Sequence, residues 1–366
     1  MQPNAPPIFI NGRFLSQNIT GVQRYALELV HSIDKLLGNL HGHQGSFTLL
    51  VPPNAKQLPA LQHVAIKSVG YLRGHLWEQV ELPFYSRNGL LVGFCNTGPL
   101  FKADQIVTLC DASVYRVPEA YSFLFRLWYR ILFTTIGHLS RGLLTISVFS
   151  RDELASCCGI KPEKFTVTYP GIDHHNWTGV RETKSSNHAK ASNRAFVLAV
   201  SSMSPHKNFR ALVEATDLLG EVDFDVIIAG GTNPAVFRDT DIPLPDTVKH
   251  VGYVSDDELK SLYSHAACFI YPSLYEGFGL PPLEAMANGC PTVVANAGSL
   301  PEVCGEAVLY CDPRNPQDIA DKINRAMSDV KLREDLRTKG FNQAEKYTWA
   351  KCARETLAAI EKALAL

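Results

Sequence analysis

The stretch YEGFGLPPLEAMANG, residues 275 to 289, sets two glutamates eight positions apart, with glycines at 277 and 279 beside the first and prolines at 281 and 282 between them. Glycine lets a backbone approach a ligand closely. The start of a helix turns unpaired N–H groups and the positive end of its dipole outward, so the pattern makes a seat for an anion such as a diphosphate. Glu276 and Glu284 flank that seat and offer acceptors to hydroxyl groups. Phosphate together with several hydroxyls describes a nucleotide sugar. Because a residue before proline is pushed out of the α region, the spacing predicts Pro281 outside the helix, Pro282 as its first residue and Glu284 in its first turn. Leu283, Met286 and Ala287 then face the core, and Gly289 suits a left-handed cap. The bland alternative makes Glu284 a capping residue and Glu276 a solvated loop acid.

A second charged group belongs with these. SMSPHKNF follows the strand-like run FVLAVS and places Lys207 and Asn208 at the start of a helix whose apolar face includes Phe209, Leu212 and Val213. A lysine there neutralises phosphate charge as a sugar–phosphate bond breaks. In NITGVQRYALELV a small loop runs into a helix, and Gly21 would let backbone N–H groups approach the diphosphate from the opposite wall of a cleft. Without a ligand, that segment reads as a helix start capped by Thr20.

These residues need a frame, and the chain supplies one. Short runs rich in valine and isoleucine recur, each followed by helical spacing, which is the pattern of parallel strands covered by helices on both faces. In the first half they are IFI (8 to 10), FTLLV (47 to 51), VAIKSV (64 to 69), LLVGF (90 to 94), QIVTLC (105 to 110), LLTISV (143 to 148) and FTVTY (165 to 169). A polar, serine-rich stretch interrupts them, and the pattern restarts with FVLAVS (196 to 201), DVIIAG (225 to 230), VKHVGY (248 to 253), CFIYP (268 to 272), TVVAN (292 to 296) and AVLYC (307 to 311). We therefore expect an α/β chain of two doubly wound domains: 1–178, a polar linker 179–194, 195–346, and a C-terminal helix from 347 that packs back toward the first domain. Ligands in such sheets sit beyond the carboxyl ends of the strands.

Composition narrows the partners. The 366 residues carry 35 basic and 36 acidic side chains, a net charge of -1, so no overall field drives binding to nucleic acid. Nine cysteines form no C-x-x-C pair and sit mostly in apolar runs, which reads as reduced core residues in a cytosolic protein. MQPNAPPIF lacks the character of a secretory signal, and no apolar run is long enough to span a membrane. YSFLFRLWYRILF (121 to 133) concentrates aromatics with Arg126 and Arg130 and holds no acid, so it either packs internally or lies on an anionic membrane surface.

EGFGLPPLEAMANGCPTVVANAGSLPEVCGEA resembles the signature of the retaining glycosyltransferases of family 4, the group 1 family, with the E-x7-E pair on Glu276 and Glu284. The likeness extends from ITGVQRYALEL to YTWAKCARETL. It implies the GT-B arrangement, two Rossmann-like domains facing each other across a cleft. It also implies that Glu276 contacts the donor sugar and Glu284 the ribose, that Gly277, Phe278, Gly279 and Leu280 hold sugar and phosphate through loop amides, and that Lys207 compensates the leaving phosphate. The loops at Gly230, Gly231, Tyr253 and Val254 would hold the nucleotide base. QIVTLCDAS aligns with a family segment that often reads His-Asp; here Cys110 replaces the histidine, and Asp111 either orients the acceptor hydroxyl or caps a turn. An arginine that the family often carries before Lys207 is also missing from Ser201 to His206. HLWEQVELP (75 to 83) resembles the family's Trp-Glu-Gln segment near the acceptor side, and Ser150 with Glu153 has capping-box spacing.

The expected activity is transfer of a hexose, with mannose from GDP-mannose favoured, to a hydroxyl of a growing, lipid-linked saccharide in the cytoplasm. Neither a cofactor nor a metal is expected: D-x-D spacing occurs at Asp223 and Asp239 but not after an apolar strand. Glu276 as a covalent nucleophile remains an alternative route to retention. A sugar-nucleotide epimerase or phosphorylase, or a silent carbohydrate-binding scaffold, would share the frame. A nicotinamide dehydrogenase would need a G-x-G-x-x-G after an early strand, which the chain lacks.

Overall fold

The computed structural model describes residues 6–39, 47–173, 194–200, 204–231 and 247–365. Every apolar run singled out in the sequence forms a strand. In unit 1 these are β1 Ile8–Asn11, β2 Phe47–Val51, β3 Ala65–Ser68, β4 Leu90–Gly93, β5 Gln105–Thr108, β6 Gly142–Thr145 and β7 Phe165–Val167. In unit 2 they are β8 Ala195–Val200, β9 Phe224–Ala229, β10 Val248–Gly252, β11 Cys268–Tyr271, β12 Thr292–Ala295 and β13 Leu309–Cys311. All pairings are parallel. That explains runs such as β2 and β9, buried along their whole length: helices cover both faces, so no polar alternation is needed.

The two sheets are wound alike. The first has the order β3-β2-β1-β4-β5-β6-β7 and the second β10-β9-β8-β11-β12-β13. In each, the chain works outward from its first strand and then returns to that strand's other side. The order therefore reverses between β1 and β4, and between β8 and β11, and a crevice opens at the carboxyl end of each such pair.

The chain divides into unit 1 (Met1–Tyr115, Tyr121–Gly171, Thr348–Leu366) and unit 2 (Arg116–Ala120, Ile172–Tyr347). The final helix, Trp349–Leu364, belongs to unit 1 and packs on the helix Gly21–Asn39. Its buried stripe of Trp349, Ala353 and Ile360 joins Tyr25, Leu29 and Ile33, with the Tyr25 and Trp349 rings 5.8 Å apart. Gly171 makes that return possible, since a Cβ there would meet Trp349 N at 2.1 Å. The boundary at 178 and the linker 179–194, Arg194 apart, lie outside the described residues, as do Ser201 to Met203 and Asp239.

Two local expectations are corrected. The helix expected to begin at a Ser150 cap spans Val148–Cys158 and is capped by Ser147, whose extended backbone lets its hydroxyl accept the Ser150 N–H. The stretch 121–133 does not pack inside along its length. It opens the helix Phe123–Leu139, capped by Ser122, with Phe123 67% and Leu124 74% exposed and burial beginning only at Leu132.

Ile360 is fully buried between the last helix and the first. Ile360→Ala should cost about 2–5 kcal/mol in urea unfolding, while Lys362→Ala, exposed on the same helix, should change stability by no more than about 0.5 kcal/mol.

Candidate functional site

The reversal in unit 2 gathers the residues picked out for chemistry. Lys207 follows β8 and Glu276 follows β11, the two strands that flank the crevice. Lys207, expected at the helix start, lies two residues before the helix proper, Phe209–Leu219, in a 3-10 turn Pro205–Lys207. Asn208 makes the join in the left-handed region, φ 62°, and its Nδ2 donates to the carbonyls of Pro272 at 3.0 Å and Pro313 at 2.7 Å. These bonds fix the direction in which Lys207 leaves the turn.

Lys207 Nζ donates to Glu276 Oε1 at 2.6 Å and to the Tyr271 hydroxyl at 3.2 Å, with both charged side chains largely buried. Burial alone would lower the lysine pKa, but the adjacent Glu276 carboxylate outweighs it and holds the ammonium well above its ordinary range. Burial alone would raise Glu276, and Lys207 outweighs that in turn, leaving the carboxyl below its ordinary value. The pair is therefore ionised, a compact cation held by its counter-ion beside a crevice. Glu276 is also held by its backbone: its carbonyl accepts from Ser299 N at 3.1 Å, and a Cβ on Gly298, φ 61°, would meet Glu276 N at 2.8 Å.

The glycine loop turns into a helix earlier than its prolines suggest. The helix spans Leu280–Ala287, with Gly279 as its cap at φ 99°. Pro281 is thus helical, and Glu284 is the fifth helical residue, in the second turn. The constraint before proline is outweighed because first-turn N–H groups need no intrahelical partner, so proline costs nothing there, and left-handed Gly279 swings the chain into the helix. A consequence follows for anion binding. Two of the first-turn positions carry no N–H, so the donors at this end come from Gly279 and Leu280 and not from a full turn of amides. Glu284 is buried at 7% exposure and accepts the Tyr263 hydroxyl at 3.2 Å. Gly289 adopts the left-handed cap, φ 71°.

Gly230, φ 101°, follows β9 and donates its N–H to the Gly252 carbonyl at 2.7 Å; nearby, the Tyr253 side chain is 78% exposed and Val254 is buried. In unit 1, Gly21 opens its helix, and a Cβ there would meet nothing within 4 Å, so the fold itself does not demand glycine. Asp111 Oδ1 accepts the Ser113 N–H at 2.8 Å, the turn-capping role that was the alternative for it. Cys110 is buried, and burial raises its thiol pKa far above the ordinary value. Trp77 is fully buried and donates Nε1–H to the Val69 carbonyl at 2.8 Å. Tyr271, Tyr263 and Gly298 were not foreseen; Asn208, read only as part of a helix start, left a local signal in its tolerance of the left-handed region. Among the described residues no three His, Cys, Asp or Glu side chains gather to hold a metal ion, and no helix is long and apolar enough to cross a membrane.

Residues 180–343 match the family model described as glycosyl transferases group 1. The O-antigen chain mannosyltransferase B of Escherichia coli is 28% identical, over 93% of this chain and 95% of that protein. The O-antigen chain mannosyltransferase RfbU of Salmonella typhimurium is 29% identical, over 63% of this chain and 65% of that protein. Among solved structures, HepE of Anabaena in complex with UDP-glucose matches with a TM-score of 0.74 at 16% identity, covering 98% of this chain and 100% of the other. WaaG, a glycosyltransferase involved in lipopolysaccharide biosynthesis, matches at 0.69 and 16%, covering 96% and 98%. At such identities the two structures share the fold, α/β with two Rossmann-like parallel-sheet domains as in GT-B enzymes.

The ion pair sets a pH dependence. Glu276 is depressed below 4.5, so its contribution is complete above that value and lost as pH falls through the folded pKa; Lys207 is raised above 10.5, so its contribution is complete below that value. Lys207→Met, which strands the carboxylate, should cost about 3 kcal/mol at neutral pH in denaturant unfolding. The deficit should shrink on acidification, beginning above pH 4.5 because an unpaired buried carboxyl takes up its proton early. A deficit independent of pH would assign the loss to packing instead.

Proposed function

We propose that the chain is a group 1 glycosyltransferase and that it transfers mannose from GDP-mannose, with retention at the anomeric carbon, to a hydroxyl of a growing, lipid-linked saccharide in surface polysaccharide synthesis. The observation that carries this reading is the Lys207–Glu276 pair beside the Gly279-capped helix start, at the carboxyl edge between β8 and β11. Similarity to O-antigen mannosyltransferases supports the sugar and the process.

In this mechanism the donor diphosphate lies against the Gly279 and Leu280 amides and the Lys207 ammonium. As the sugar–phosphate bond breaks, negative charge grows on the leaving phosphate, and these groups stabilise it without having to reorganise. The departing phosphate oxygen accepts the proton of the acceptor hydroxyl as that hydroxyl attacks from the same face, so configuration is retained. Because Lys207 and the helix end supply the charge compensation, no metal is required. Glu276, engaged by Lys207, accepts donor-sugar hydroxyls in preference to attacking carbon, and Glu284 accepts from the ribose. The base contacts of Gly230, Tyr253 and Val254 belong to the same proposal, and Asp111 serves as a turn cap after β5.

A lipid-linked acceptor calls for contact with a membrane face in the cytoplasm. Support comes from unit 1, where Phe123, Leu124, Leu127 and Ile131 are exposed on a helix bearing Arg126 and Arg130 and no acid.

Thermal unfolding against GDP-mannose, UDP-glucose, dTDP-glucose and ADP-glucose tests the donor. A cognate donor at 100 times its dissociation constant adds about 2.7 kcal/mol. We expect GDP-mannose to stabilise most, and Glu276→Ala and Lys207→Ala each to lower transfer about 10²–10³-fold with folding intact by circular dichroism. A flat response across the four donors would refute the reading.

A further inference from the structure

Unit 1 has its own reversal, between β1 and β4, and the polar side chains gathered there are not used by the donor site. Glu78 is completely buried in a π-helical turn, Trp77–Glu81. Its Oε1 accepts from Asn11 Nδ2 at 2.7 Å and Thr97 Oγ1 at 2.7 Å, and lies 3.1 Å from Arg13 Nε. Asn11 ends β1, Arg13 follows it and Thr97 follows β4, so the carboxylate spans the carboxyl edge where open α/β sheets place their ligands.

A carboxylate so placed could serve only to tie two strand ends to a crossover. Two observations point further. Glu78 Oε2, though buried, has no hydrogen-bond partner, and the atom facing it at 3.5 Å, Nδ1 of His75, has none either. Burial would raise the Glu78 pKa, but His75, Arg13, Thr97 and Asn11 outweigh it and keep the group ionised. The buried Oε2 holds the Nδ1 edge of the imidazole and leaves Nε2 as its free polar edge. The ring as a whole is 41% exposed while Nδ1 is buried, so its open edge is the Nε2 side. Trp128 stands edge to face with it at 5.7 Å, its Nε1–H buried and without a partner. An imidazole edge of fixed orientation beside an indole suits a sugar, whose hydroxyl hydrogen-bonds to the ring nitrogen while its C–H face packs on the indole. π-helical turns recur at functional sites, in keeping with this placement.

We propose that His75, positioned by Glu78, reads a hydroxyl of the acceptor saccharide at the β1–β4 edge of unit 1, an assignment that rests on the transferase reading for the class of its ligand.

Saturation-transfer NMR of the full chain with methyl α-D-mannopyranoside and with α-mannobiose tests it. The wild type should give a signal with at least the disaccharide. His75→Phe, which keeps a ring but removes Nε2, should cut that signal about tenfold, and His75→Gln, whose amide can hydrogen-bond the same hydroxyl, should restore part of it. Lys207→Ala should leave it unchanged. The same variants are melted with GDP-mannose, and donor stabilisation retained in His75→Phe while its sugar signal is lost supports a site separate from the donor's. Equal sugar signals from wild type and His75→Phe, or none from wild type, overturn the proposal even if donor binding is intact. A His75-dependent sugar signal with no donor stabilisation anywhere supports the subsite and counts against the transferase reading. A purely structural His75 would instead lower the melting temperature of His75→Phe and leave the sugar signal alone.

Discussion

A lysine and a carboxylate 2.6 Å apart, both largely withdrawn from water, persist only because each keeps the other charged. Most of the surroundings of Glu276 and Lys207 serve that arrangement. Asn208 takes the left-handed conformation that sets Lys207 off its turn, Tyr271 supplies a second acceptor, and the Gly298 backbone closes on Glu276. A buried ion pair adds little stability over a well-packed apolar pair, so its presence at a sheet crevice argues for use. Under the proposed function that use is exchange: a diphosphate arriving at the Gly279-capped helix would take over part of the charge that Glu276 satisfies without it.

The winding of the sheets explains why that pair lies where it does. Both units reverse strand order once, and each reversal brings together loops from distant parts of the chain: residues 207 and 276 in one, residues 11, 78 and 97 in the other. Each carries a buried carboxylate held by a cation, Lys207 for Glu276 and Arg13 for Glu78. In unit 2 the carboxylate restrains a cation suited to phosphate. In unit 1 it orients an imidazole suited to hydroxyls.

How much of this was legible follows from range. The strands were plain because both-face burial leaves continuous runs such as FTLLV and DVIIAG, and the glycines and glutamates of the loop advertised their chemistry through spacing. The start of the helix at Leu280 was misread because local proline preference was weighed without the left-handed Gly279 that overrides it. Ser147 was passed over for Ser150 because the run LLTISV continued apolar beyond the end of its strand. Tyr271 and Glu78 were not recognised, because their roles come from partners 64 and 67 positions away that only the fold brings near. The exposure of Phe123 and Leu124 was equally beyond periodicity, which shows a stripe but not what covers it.

A crystal structure of the chain with GDP bound examines the central claim most directly. The account predicts the β-phosphate within hydrogen-bond reach of the Gly279 and Leu280 amides and of Lys207 Nζ, with Glu284 on the ribose. A diphosphate seated away from the β8–β11 edge, with Lys207 still engaged by Glu276 alone, would contradict it.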